Sequence, residues 1–315
     1  MIGPIRPPAT DTGRRGLGTV AAGFVLLAGA SASAHAAGYS EFLDSVEFRG
    51  FRAEASYTSD NNVPRAPAGD ALRDRILGAR VSAGGVIPLS TRTRAAVQGF
   101  AGIQKFGTYT GLSNNFIGTQ GDFFFRTSGE FGAPTYGAFV RTAKEEYEST
   151  LRDGYRHAFG VTVQKPVTDR IQLSGGLTRN ISDGKSRVFD AKNTSLRGNA
   201  DWSLGRWDTV YFGAELRRGD TVSTAHLTPG RADIADAVTV GPDDAYKDPT
   251  LFAYRFKAST WITTLGYNHA FSGGHSLDFS WRRVHSTPLE LRGLATASEN
   301  SYTANQFSVA YLARF

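Results

Sequence analysis

The feature that most constrains this sequence is an alternation of apolar and polar residues with a period of two, in segments of about ten residues. In the last segment, apolar side chains occupy every second position: Phe307, Val309, Tyr311, Ala313 and Phe315. An earlier segment alternates Leu277, Phe279 and Trp281 with Asp278, Ser280 and Arg282. Successive side chains of a strand point to opposite faces, so each segment is predicted to be a β-strand with one apolar and one polar face.

Twelve such segments are predicted along the chain. Their bounds are 46–58, 75–86, 93–106, 122–132, 135–147, 154–165, 170–182, 193–204, 208–219, 251–270, 275–286 and 302–315. No window after Ala37 has a convincing helical period. The mean hydropathy of −0.28 is too polar for a bundle of membrane helices, each of which needs ~20 consecutive apolar residues. The sequence therefore predicts an all-β fold.

The connections between these segments alternate in length. Five are predicted to be tight turns, at 88–92, 132–134, 166–169, 205–207 and 271–274. Six are mostly longer polar loops, at 59–74, 107–121, 148–153, 183–192, 220–250 and 287–301. Short turns at one end and long loops at the other are typical of a transmembrane β-barrel. A strand crosses lipid only when the sheet closes on itself, because each backbone polar group needs a partner. A soluble β-sandwich is the alternative.

The N-terminal segment has the order of a secretory signal peptide. Arg6, Arg14 and Arg15 precede an uncharged stretch at 16–34, and the small-residue exit Ala34-His35-Ala36 follows. This order predicts a signal peptide over residues 1–36 and a transmembrane β-barrel over 37–315. A permanent helical anchor is the alternative, although the apolar centre is shorter than a ~20-residue span.

The terminal Phe315, with Phe307, Val309 and Tyr311 before it, resembles the C-terminal signal of bacterial outer-membrane β-barrel proteins. The resemblance indicates no specific subfamily. It implies a location in the outer membrane of a Gram-negative bacterium and contact with outer-membrane lipid. It also implies insertion by the barrel-assembly machinery, to which such terminal strands are presented.

If the apolar faces point outward, arginines face the lumen on ten of the twelve predicted strands. They are Arg52, Arg80, Arg126, Arg141, Arg156, Arg197, Arg217, Arg255, Arg282 and Arg314. The inward acids are fewer: Glu54, Glu130, Glu145, Asp201, Glu215 and Asp278. Both faces of the third segment carry apolar groups, and Gln98 and Gln104 are its predicted lumen residues. A bulge is predicted near Thr260, in the long tenth segment.

Two hypotheses follow from this lining. In the first, the arginines raise the local concentration of anions, and the barrel is a channel for passive diffusion of small, preferentially anionic solutes. A guanidinium fork suits carboxylate or phosphate groups. In the second, the arginines pair with the acids and plug the interior, which leaves a structural or surface-binding barrel. Twelve strands lie between the filled barrels of ~8 strands and the open channels of ~16.

An outer-membrane lipid hydrolase is a third alternative. It needs a serine and a base within hydrogen-bond reach, but His157 and His285 share the outward parity of their strands. The chain has no cysteine and no metal-ligand spacing, so no metal or other cofactor is expected. Asp243, Asp244 and Asp248 are only a weak calcium signal. Without the predicted signal peptide, 32 basic side chains stand against 28 acidic ones, a net charge of +4 that is ordinary, and no nucleic-acid partner is expected.

Overall fold

The computed structural model describes residues 50–234 and 240–315. The predicted signal peptide, residues 1–36, lies outside the described residues and remains a prediction. Thirteen strands form one sheet. They are β1 (Gly50–Asp60), β2 (Asp74–Pro88), β3 (Thr93–Phe106), β4 (Asn114–Arg126), β5 (Thr135–Tyr147), β6 (Gly154–Pro166), β7 (Ile171–Gly184), β8 (Ala191–Ser203), β9 (Asp208–His226), β10 (Val240–Pro242), β11 (Leu251–Ala270), β12 (His275–Pro288) and β13 (Tyr302–Arg314).

Twelve of these strands close into an up-and-down antiparallel barrel. Each pairs with the next along the chain, apart from β10, which is a short extra strand on β11, while β9 pairs with β11 directly. β1 closes the circle by pairing with β2 on one side and β13 on the other. The predicted fold class is confirmed, and the soluble sandwich is excluded because the sheet closes on itself.

The ends of the barrel differ as the sequence predicts. The turn end carries the five connections 89–92, 127–134, 167–170, 204–207 and 271–274. The loop end carries 61–73, 107–113, 148–153, 185–190, 227–250 and 289–301. Two short helices lie in these loops, α1 (Pro229–Ile234) and α2 (Ala297–Asn300). Among the described residues, no helix is long and apolar enough to cross a membrane.

The outer surface of the barrel is apolar. Large side chains at every second position are exposed on this face, and they include Leu77, Val97, Ile117, Phe123, Val140, Phe159, Leu196, Phe212, Leu265 and Phe307. Exposed aromatic residues lie near the turn end, among them Phe51, Phe125, Tyr136 and Trp202. An apolar belt with interfacial aromatic residues around a closed barrel is the surface that hydrocarbon requires. The barrel is an outer-membrane type, and its lipid-facing surface is this belt.

The fourth strand is the main correction to the predicted elements. The sequence predicts it over 122–132, but β4 runs from Asn114 to Arg126 and a wide turn follows at 127–134. Asn115, Thr119 and Gly121 weaken the apolar signal of its outward face, and Phe116 and Phe124 add aromatic residues to its inward face. The residue pattern at 114–121 is typical of a loop, so the predicted strand begins eight residues after the observed one.

Candidate functional site

The lumen holds nearly all of the residues predicted to line it. The following predicted residues share the inward parity of their strands: Arg52, Arg80, Arg126, Arg141, Arg156, Arg197, Asp201, Glu215, Arg217, Asp278 and Arg282. Glu54, Glu145 and Arg314 lie on the same face. Gln98 and Gln104 also point inward, and Gln98 is buried.

Two predicted lumen residues lie elsewhere. Glu130 is exposed in the turn between β4 and β5, because β4 ends at Arg126. The pairing of β9 with β11 runs through Thr260 without a bulge, so Arg255 keeps the outward parity of the exposed Trp261. Its guanidinium donates to the carbonyl oxygens of Arg187 and Asp190 in the β7–β8 loop. Both predictions were therefore wrong.

The sequence analysis missed several residues of the lumen. Arg94 faces inward on β3, so ten of the twelve barrel strands still carry an inward arginine. Gln120 and Asp122 face inward on β4, and both are buried. The Gln120 amide donates to the Asp122 carboxylate at 3.0 Å. A signal for Asp122 was present, because it is the first residue of the predicted segment 122–132 and shares the parity of Arg126, whereas Gln120 lies before the predicted start of that segment.

Aromatic rings inside the barrel hold part of the arginine layer in place. The guanidinium carbons of Arg80 and Arg141 lie 4.7 and 5.4 Å from the ring centroid of Phe100. Arg94 lies 5.7 Å from the ring of Phe124. A cation over an aromatic face is attracted by the quadrupole of the ring, more strongly when water is excluded. The rings thus position cations without neutralising their charge.

Carboxylates hold the other part of the layer. Arg217 pairs with Glu215 at 2.7 Å, and Arg156 pairs with Glu145 at 2.6 Å. Arg52 lies 3.7 Å from Glu54. The Asp278 carboxylate accepts a hydrogen bond from the Tyr211 hydroxyl at 3.0 Å. A buried charge needs such partners because desolvation is costly, so the interior is a network of charged groups rather than an empty tube.

The loop end of the barrel is covered by a packed set of loops, which we call the cap. We define the cap as residues 61–73, 107–113, 148–153 and 240–250. An apolar cluster packs Val63, Leu112, Ala245 and Tyr246 of the cap against Ile76, Phe106 and Leu251 of the barrel strands. A Cβ added to Gly111 would lie 2.5 Å from the Cα of Ala245. Because β3 and β4 lie across the barrel from β9 and β11, this close backbone contact spans the mouth.

Buried ion pairs fix the cap. Arg152, in the β5–β6 loop, donates to the carboxylate of Asp243, and neither side chain is more than 2 % exposed. Asp243 also accepts from the Thr224 hydroxyl at 2.6 Å. Arg65 pairs with Asp60 at 2.7 Å, where both side chains are almost fully buried. Each pair is desolvated, so removing one partner would leave an uncompensated buried charge.

A further set of contacts ties the first loop to the longest one. Asp70 accepts hydrogen bonds from His226 at 2.7 Å and from Arg231 of α1. Burial raises the pKa of Asp70, but the hydrogen bond from His226 and the charge of Arg231 outweigh it and hold this pKa below its ordinary value. These contacts join the first loop to α1 of the longest loop.

The turn end of the barrel contains a cavity of about 870 Å³, between the turns and the lower ends of the strands. Its wall includes the basic residues Arg170, Arg206, His275 and Arg314, together with Ser203, Thr209, Asn268 and Ser276. Asp169 is the acid in this wall. The turn end thus has a cavity, whereas packed loops cover the loop end.

The histidines of the described residues bond to threonine, aspartate or tyrosine side chains. The pairs are His157 with Thr142, His226 with Asp70, His269 with Asp208, His275 with Tyr311 and His285 with Thr303. His157 and His285 lie on the outward face, as their parity predicts. No hydrogen bond joins a histidine to a serine among residues 50–234 and 240–315.

The three aspartates of the longest loop are engaged with protein donors. Asp243 binds Arg152 and Thr224, Asp244 accepts from the Ser149 hydroxyl, and Asp248 accepts from Thr250. Residues 50–234 and 240–315 contain no cluster of three or more His, Cys, Asp or Glu side chains arranged to hold a metal ion. These carboxylates close the cap rather than converge on a cation.

No family model matches the sequence, and no curated protein is significantly similar to it. Solved structures do share the fold. An outer membrane channel from Pseudomonas putida F1 aligns with a TM-score of 0.53 at 13 % identity, over 86 % of this chain and 98 % of that chain. The NanC porin aligns with a TM-score of 0.44 at 8 % identity, over 84 % and 100 %. A KdgM porin in complex with disordered oligogalacturonate aligns with a TM-score of 0.42 at 8 % identity, over 84 % and 99 %.

These likenesses concern the fold alone, because the identities are low. The chain has the fold of bacterial outer-membrane β-barrels, as its terminal strand predicts. Which solute passes, if any, has to be argued from the residues of the lumen itself.

Proposed function

We propose that this protein is an outer-membrane channel for passive passage of small solutes, with a preference for anions. In the structure described here, the cap covers its loop end. The observation that carries the proposal is the inward arginine on ten of the twelve barrel strands. No cofactor is needed for such passage.

The arrangement favours anions for an electrostatic reason. Fixed positive charges in a narrow, low-dielectric passage raise the local concentration of the opposite charge. Aromatic contacts hold Arg80, Arg94 and Arg141 without a change of charge. Planar guanidinium groups match carboxylate and phosphate oxygens better than ammonium groups do. A small carboxylate or phosphate compound is therefore the class of solute that the lining fits.

The two ends of the barrel have different roles in this proposal. The cavity at the turn end admits a solute to the lower lumen, where Arg314 and Arg206 line the wall. The cap closes the other end through the Arg152–Asp243 pair and the apolar cluster around Leu112. Passage across the whole membrane therefore requires that the cap move away from the mouth.

A plugged barrel without transport is the second candidate. The internal pairs Arg217–Glu215 and Arg156–Glu145 and the packed cap favour it. The two candidates differ in what happens when the cap is loosened. An open arginine-lined channel would then conduct anions, whereas a plugged barrel would stay closed because its lumen is filled.

The experiment is a conductance measurement in planar bilayers with the purified, heat-modifiable barrel. We expect small, intermittent currents from the wild-type protein and larger ones when Arg152 is replaced by Ala. Absence of current from both folded proteins would exclude the channel and favour the plug. The lipid hydrolase alternative is tested on the same preparation, by incubation with phospholipid or lipopolysaccharide and measurement of released acyl chains.

A further inference from the structure

The outward faces of the barrel strands carry nearly all of their positive charge at the loop end. Ten outward positions on the barrel strands hold lysine or arginine: Arg75, Lys105, Lys144, Lys165, Arg179, Lys192, Arg218, Arg255, Lys257 and Arg283. Nine of them lie in the loop-side half of their strand, and Lys165 of β6 is the exception. The turn-side half is instead apolar and aromatic. Solvation alone gives no reason for this asymmetry, since both ends of the barrel reach water.

Five of these residues form a continuous group, which we call the basic face. Five consecutive barrel strands, β7, β8, β9, β11 and β12, contribute one each: Arg179, Lys192, Arg218, Lys257 and Arg283. All are exposed except Arg179, which is half-buried. On the opposite side of the barrel, Lys105 pairs with Glu148 at 2.9 Å and Lys144 pairs with Glu146 at 2.6 Å.

The register of the sheet places two arginines of the basic face in one row. Arg179 is directly opposite Thr194, Thr194 is opposite Arg218, and Arg218 is opposite Ser259. The two arginines are therefore separated by two strand spacings, about 10 Å between their Cα atoms. The hydroxyl of Thr194 lies between them and already accepts a hydrogen bond from Arg179 at 3.0 Å.

Acidic residues near the basic face neutralise it only in part. Asp220 of β9 accepts from the backbone amide of Lys192 at 3.0 Å, and Glu290 lies 3.5 Å from the ammonium of Lys257. Asp183 of β7 is exposed above Arg179. Five basic side chains thus face three acids, and Arg218 and Arg283 have no acidic partner within ion-pair distance among the described residues.

The surface below the basic face is apolar. Leu177, Leu196, Trp261 and Leu265 lie on the same outward faces, nearer the middle of the barrel, and all four are exposed. A ligand that matches both parts carries negative charge at one end and hydrocarbon at the other. Basic residues at the edge of the hydrocarbon region attract anionic headgroups, and guanidinium forks bind phosphate oxygens in particular.

We infer that the basic face binds the phosphorylated headgroup of an outer-leaflet glycolipid. Its phosphates contact Arg179 and Arg218 across Thr194, its acyl chains lie along Leu177 and Leu196, and Lys192, Lys257 and Arg283 add long-range attraction. This binding does not depend on passage of a solute through the lumen.

The test uses the purified full-length barrel in detergent and native mass spectrometry. The probes are a diphosphorylated lipid A and the same lipid after enzymatic removal of its phosphates. We expect the wild-type barrel to retain the diphosphorylated lipid at least tenfold better than the dephosphorylated one. Equal retention of the two lipids would overturn the inference, and this comparison needs no variant.

A matched pair of variants locates the site. The double variant R179Q/R218Q is expected to lose at least tenfold in retention of the diphosphorylated lipid, while Lys165→Gln, at the turn end of the same outer surface, retains it fully. Heat-modifiable migration on a gel checks that each variant is folded. Equal loss in both variants, or displacement of the lipid by millimolar inorganic phosphate alone, would contradict a glycolipid site on this face.

Discussion

The guanidinium of Arg152 donates to the carboxylate of Asp243 across the loop end of the barrel, and both groups are buried. Arg152 follows β5 and Asp243 belongs to the long connection between β9 and β11, so this pair joins loops from well-separated strands. Its burial makes it a latch, because the two charges stabilise each other only while the cap is in place.

Loss of this latch is expected to open the cap. Arg152→Ala leaves Asp243 as an unpaired buried charge, which costs ~3–5 kcal/mol when a buried pair is broken. We expect faster cleavage of residues 240–250 in limited proteolysis and an unchanged barrel on heat-modifiable gels. Lys105→Ala removes an exposed pair with Glu148 and is the control. Identical proteolysis of the wild-type protein and Arg152→Ala would show that the pair does not hold the cap.

Acid is expected to weaken the contact between Asp70 and α1. The pKa of Asp70 is held below its ordinary value of 3.8. A carboxylate whose pKa is lower in the folded state stabilises that state at a pH above its pKa in the unfolded chain. This stabilisation is lost as the pH falls through the pKa of the folded state. Cap protection from an acid-active protease such as pepsin should therefore fall at a pH below about 3.8. With trypsin at neutral pH, the cap of Asp70→Asn is expected to be cleaved faster than that of the wild-type protein, and equal cleavage of the two proteins would contradict this role.

Gly266 is required by the aromatic residue beside it. A Cβ at this position would lie 2.0 Å from the ring of Tyr211, which is fully buried in the lumen and donates to Asp278. Gly266→Ala is expected to displace the ring and to destabilise the barrel by ~1–3 kcal/mol, as overpacking does. Urea unfolding in detergent measures the change. Gly85→Ala, where nothing lies within 4 Å, is the control and is expected to be neutral.

Phe315, which follows the last strand, is expected to contribute to assembly of the barrel in the membrane. Phe315 exchanges backbone hydrogen bonds with Phe51 at 2.8 and 3.2 Å, and their rings lie 6.0 Å apart. Phe315→Ala is expected to lower the amount of folded barrel in membranes, because the residue is predicted to be part of the signal presented to the assembly machinery. The same variant, refolded in detergent, is expected to form the barrel normally. A normal amount of folded Phe315→Ala barrel in membranes would contradict the role of Phe315 in the assembly signal.

Much of the barrel could be predicted from the sequence, because hydrocarbon on one side and charge on the other impose a period of two. The bounds of β3, β5 and β11 agree with their predicted segments. The prediction failed at β4, where polar residues and a glycine weaken the outward apolar pattern and Phe116 and Phe124 face the lumen. There the inward face carries aromatic residues, so apolar character no longer marks the lipid side.

The cap could not be predicted in the same way. β9 and β11 extend beyond the other strands, and Tyr254 and Val222 are buried on opposite faces of this extension. Burial on both faces removes the alternation, which is why Arg255 was assigned to the wrong side. The contacts of Arg152 with Asp243 and of Gly111 with Ala245 join loops that are distant in sequence, and local periodicity carries no information about them.

The most direct test of the account is the ion selectivity of the barrel. In a planar bilayer under a potassium chloride gradient, the Arg152→Ala protein is expected to show a reversal potential shifted from zero toward the equilibrium potential of chloride. Additional replacement of Arg80 and Arg141 by Ala should move this potential toward zero, because both cations are held in the lumen by Phe100. A cation-selective current, or a reversal potential that does not change when these arginines are removed, would contradict an arginine-lined anion channel.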